Sequence, residues 1–143
     1  MTPMEKARFS LSTTAQAVVA VDRIVAPRYA AAVGAEHADP ETIVRWNRAV
    51  EALLLTRSAL LVAEATLDAV EAGEDHDIRA TMGCVVVAVT RLIEALPTVG
   101  IDLPEALVMT LNLLGNMAGT CEPEAETSVF GVPHISDAIA ASP

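Results

Sequence analysis

Glu64, Asp68 and Glu71 stand at i, i+4 and i+7, a spacing that sets three carboxylates on one face of an α-helix. Acids placed this way can hold Mg²⁺ or Mn²⁺, which prefer hard oxygen ligands in near-octahedral geometry. They equally describe a solvated helix face. Arg57, seven residues before Glu64, adds a third reading in which part of this polarity serves an ion pair between subunits.

The other polar residues offer less. His37, beside Glu36 and near Asp39, and His76, among Glu74, Asp75 and Asp77, read as solvated turns, and His134 has no fixed neighbours in the sequence. Spacing assembles no Ser-His-Asp or Cys-His arrangement, and the chain has no glycine-rich phosphate loop. Cys84 lies in an apolar run and reads as a reduced core thiol; with Cys121 it makes too few cysteines for a disulfide framework. Trp46 is expected to anchor the core or an interface, and Met109 and Met117 to pack the last helix.

The stretch Leu61–Asn116 resembles the MazG-type all-α NTP pyrophosphatases. That family carries an E-E-x-x-E-L run on one helix, an acidic linker, an E-L-x-D motif opening an apolar helix, and a G-I-D-L segment before a final helix. Here Ala63-Glu64-Ala65-Thr66-Leu67-Asp68-Ala69-Val70 takes the first place and Thr81-Met82-Gly83-Cys84-Val85-Val86 the second. Gly100-Ile101-Asp102-Leu103-Pro104-Glu105-Ala106-Leu107 takes the last. In such enzymes four carboxylates on two facing helices bind the magnesium that activates water and bridges the triphosphate. Of those positions only Glu64 keeps an acid; Ala63 and Leu67 replace two others, with Asp68 one residue away, while Thr81 and Cys84 stand where Glu and Asp are expected. A thiolate is a poor magnesium ligand. The resemblance therefore implies a MazG-like protein with reduced or lost pyrophosphohydrolase activity, which retains nucleotide binding or acts through protein contacts. Mg²⁺ or Mn²⁺ enters only if a carboxylate site survives.

These residues must be positioned by helices. Ala and Leu dominate segments bounded by helix punctuation. The first helix is expected from a Thr13–Gln16 capping box, kinked or split at Pro27 and stopping at Gly34. The second runs from the Asp39 cap and Pro40 to residue 72, about 50 Å. Between Ala52 and Ala63 it is apolar around most of its circumference, which calls for cover that one small subunit cannot easily supply. A third helix is expected over Ile78–Leu96, although Val85–Val89 alone would also suit a buried strand. A fourth opens at an Asp102–Glu105 capping box and fades across Gly115–Gly119. Residues 122–143 read as an irregular tail in which Ser136–Ala141 suits one or two helical turns.

Composition excludes several classes. The chain has 143 residues, 52% apolar and only 3% aromatic, with nine Lys and Arg against 19 Asp and Glu and a net charge of −10. One domain is the expectation at this length. With a single lysine and scattered arginines, nucleic acid is not an expected partner. The N-terminus has no signal-peptide pattern and no uncharged apolar window spans a bilayer, so no membrane is expected and a cytoplasmic location is. The resulting expectation is an all-α protein: a four-helix bundle-like core over residues 1–121, with a kinked or split first helix and a long second one. It forms a homo-oligomer, dimer or higher, through the second helix. The alternative to the MazG-like reading is a non-enzymatic assembly or adaptor module; a ligand pocket lined by Val, Leu and Met between helices is a third.

Overall fold

The computed structural model describes residues 2–121, and these are all-helical. Four α-helices, α1 (Pro3–Val33), α2 (Pro40–Glu71), α3 (Ile78–Ala95) and α4 (Glu105–Gly115), are joined by short loops, with a 3₁₀ turn over Leu96–Val99. The tail beyond Cys121, with His134 and the Ser136–Ala141 segment, lies outside the described residues.

α1 begins eleven residues earlier than the Thr13 box predicts. The cap is Thr2, whose hydroxyl accepts the Glu5 amide at 3.1 Å, and Pro3 takes the first helical position. Thr13 is well inside the helix and returns its hydroxyl to the Phe9 carbonyl. Pro27 does not split α1 either, which continues to Val33. The carbonyl that loses its amide partner belongs to Arg23, and both residues are exposed, so water can replace the missing bond. Packing grips the helix on either side: Val25 is buried, and Tyr29 meets Trp46 edge-to-face at 6.5 Å between ring centroids.

α2 keeps its expected bounds to within one residue. Asp39 precedes it without a side-chain bond to the helix backbone, and Gly73, at φ 97°, supplies the left-handed residue just past its end. Val85–Val89 are helical, inside α3, whose Asp77 cap accepts the Ala80 amide at 3.1 Å. The Asp102 box does not form; Pro104 precedes the first turn of α4, leaving Asp102 and Leu103 outside the helix. Gly100 adopts φ 77° to end the 3₁₀ turn, where the Ile101 amide bonds the Leu96 carbonyl.

α1 and α2 run antiparallel, the start of one beside the end of the other, as the Tyr29–Trp46 contact and the Arg8 pairing described below require. α1 packs against α2 and α4, and α3 against the same two helices. Their shared core holds Leu11, Val21, Leu67, Met82, Leu92 and Leu107. Burying each large aliphatic side chain contributes about 1.5–3 kcal/mol. Small residues bring the helices close, and the core also carries hydroxyls: Thr14, Thr56, Thr66 and Thr110 are buried, each donating to a carbonyl three or four residues back. No buried side-chain polar atom among the described residues lacks a partner. Ile78–Val99 is long and apolar enough to cross a membrane by length and composition; here it is α3 and the turn after it, packed on α2 and α4.

Candidate functional site

The acidic face of α2 is met by a residue that spacing alone does not select. Arg8, in the second turn of α1, reaches across the antiparallel pair to the end of α2. Its Nη2 lies 2.7 Å from Asp68 Oδ1 and 2.8 Å from Glu71 Oε1, and its Nε donates to Glu71 Oε1 at 2.9 Å. The hydrogen bond to Asp68, then that to Glu71, raises the guanidinium pKa further above its already high ordinary value. Two of the three proposed metal ligands are thus turned toward α1 and matched by a cation. Glu64 is exposed one turn earlier on α2 and takes no part in this pairing.

The α3 residues at which the resemblance expects acids are engaged elsewhere. The Thr81 hydroxyl donates to the Asp77 carbonyl at 3.2 Å, as helical threonines commonly do. Cys84 is bonded to Cys121 in a disulfide that closes a sequence separation of 37 residues. This corrects the expectation of a reduced core thiol: Cys84 is buried, but the segment after α4 folds back along α3 and brings the second sulfur to it. Two other contacts seat that segment. The Gly119 amide donates to the Arg79 carbonyl at 2.8 Å, and Gly83 lies so close to the Gly119 carbonyl that a Cβ there would collide with backbone. None of these three ties shows as a local motif; the only sequence sign is a glycine beside each cysteine or nearly so, at Gly83 and Gly119.

Among the described residues, no three His, Cys, Asp or Glu side chains converge as a metal site. His76 Nε2 lies 3.7 Å from Glu74 Oε1 at the turn before α3, and His37 is exposed in the loop before α2. Trp46 is a buried anchor of the core, as expected. Met117 packs against the core, but Met109 is 57% exposed and does not.

The outward side of α2 carries a second cluster. α2 is packed by α1, α3 and the 3₁₀ turn, yet Leu54 and Leu61 remain 52% and 61% exposed. They are one heptad apart and share a face, with the exposed Arg57 and Glu64 beside them. Comparison of the chain with known protein families, with curated proteins and with solved structures gives no match.

Proposed function

We propose that this chain is a helical assembly module that acts through protein contacts, two copies joining through the outward face of α2, and that it does not carry out nucleotide pyrophosphohydrolysis. The observation that carries this reading is the exposure of Leu54 and Leu61 midway along the longest helix. Apolar side chains left in water on a helix already packed from the other side are what a partner would cover.

The state of the acids supports the same reading. Magnesium would have to displace Arg8 from Asp68 and Glu71, and α3 offers a back-bonded hydroxyl and a disulfide sulfur in place of the carboxylates that the MazG-like resemblance requires. On this reading the resemblance over residues 61–116 concerns helix order and the Gly100–Leu107 turn, not the reaction. The disulfide also favours an oxidising location over the reducing cytoplasm expected from composition.

Sedimentation velocity over a concentration series tests the proposal. The protein should self-associate, and Leu54→Glu with Leu61→Glu should leave a monomer of unchanged helical content. A nucleoside triphosphate panel with Mg²⁺ or Mn²⁺ should give no turnover and no thermal shift. A wild-type monomer at high micromolar concentration overturns the assembly reading. Robust hydrolysis abolished by Glu64→Gln returns the chain to the hydrolases.

A further inference from the structure

On a helical wheel, Leu54 and Leu61 project about 20° apart, and Arg57 and Glu64 also lie about 20° apart, both displaced to the same side of the leucine line. All four are exposed, and among the described residues neither Arg57 nor Glu64 forms an ion pair within the chain. Two opposite charges on one flank, one heptad apart, can satisfy each other between copies in only one relative direction.

We infer that the α2 interface is an antiparallel two-fold pair in which Arg57 of each copy meets Glu64 of the other. This rests on the assembly reading above and specifies its geometry. In a parallel two-fold pair like flanks lie on opposite sides of the seam, so Arg57 and Glu64 of one copy never meet those of the other and both charges stay unmatched. In an antiparallel pair like flanks meet in reverse order, and opposite charges fall together twice per dimer. Setting Arg57 level with the partner's Glu64 places the axis beside Leu61. The two Leu61 side chains then meet at the centre, and each Leu54 comes level with the partner's residue 67, between the exposed Ala65 and the Arg8-paired Asp68. Ala65 is exposed on the same face and small enough to let the helices approach. The arrangement is self-complementary in both charge and shape, as an isologous contact must be.

Charge reversal tests it. Arg57→Glu and Glu64→Arg should each weaken self-association by about tenfold or more, because each places like charges together at two sites in the dimer. Mixed in equal amounts, the two variants should recover near-wild-type association as a heterodimer, since every cross pair is again opposite in sign. Both sites are exposed, so circular dichroism should show intact helices in each variant. Single variants that associate like wild type, or a mixture no stronger than its components, overturn the antiparallel pairing. If Leu54→Glu with Leu61→Glu still separates the copies in that case, the α2 interface stands and only its direction falls. If the wild type is monomeric, both fall.

Discussion

Arg8 Nη2 lies 2.7 Å from Asp68 Oδ1, joining the first turns of one long helix to the last turns of another across 60 residues of sequence. Glu71 shares the same guanidinium. The arrangement turns a patch of acids into a matched cluster, and its consequences can be measured.

Arg8→Ala should lower the melting temperature slightly, and the difference from wild type should shrink as salt rises, because exposed ion pairs are screened. The raised Arg8 pKa means its contribution is fully present below the ordinary arginine value and lost only as pH rises through the higher folded one. Arg8 itself should therefore give no titration between about pH 6 and 9, far below the range in which a guanidinium releases its proton. Mn²⁺ at millimolar concentration should not stabilise the wild type, since the cation competes with Arg8 for the same oxygens. A clear upward thermal shift with Mn²⁺ would contradict the account of these carboxylates.

Gly83→Ala should destabilise the fold by about 1–3 kcal/mol, because the new methyl meets the Gly119 carbonyl rather than a movable side chain. Gly115→Ala provides the contrast. Nothing lies within 4 Å of a Cβ there, and α4 should gain about 0.4–1 kcal/mol from the less flexible residue. Urea denaturation of both variants checks the pair of signs.

Reduction of the Cys84–Cys121 bond should cost about 3–4 kcal/mol, the loop-closure value for a separation of 37 residues. Denaturation midpoints with and without a phosphine reductant measure it. Intact-mass analysis of protein isolated without reductant should show two hydrogens fewer than the reduced chain.

Core substitutions should divide by chemistry. Leu67→Ala removes a side chain only 1% exposed and should cost about 2–5 kcal/mol. Thr56→Val removes a buried hydroxyl that only reinforces the Ala52 carbonyl, already in the helix ladder, and should change stability by less than about 1 kcal/mol.

Local chemistry was readable in the sequence where it acts within a few residues. Pro40 marks the start of α2, Gly73 its end, and Asp77 the start of α3. Capping patterns misled where several competed. Thr2-Pro3-Met4-Glu5 is a stronger start than Thr13–Gln16, because the proline sits where its missing amide does no harm. Asp102 failed as a cap because Pro104 holds an extended backbone just before the first turn. Of the acidic site, spacing revealed the shared face of Asp68 and Glu71 but not Arg8, whose place depends on how two long helices pair. Cys121 was hidden for the same reason: what brings it to Cys84 is a chain reversal after α4, seated by glycine packing that leaves no periodic trace.

That sulfur bridge also has a consequence for the chain reversal after α4. With Cys121 riveted to Cys84 and the Gly119 amide bonded to the Arg79 carbonyl, the stretch 119–121 is held beside the first turns of α3. Oxidant and reductant in the surroundings thereby decide whether that stretch is moored to α3 by a covalent bond or by backbone packing and one hydrogen bond alone.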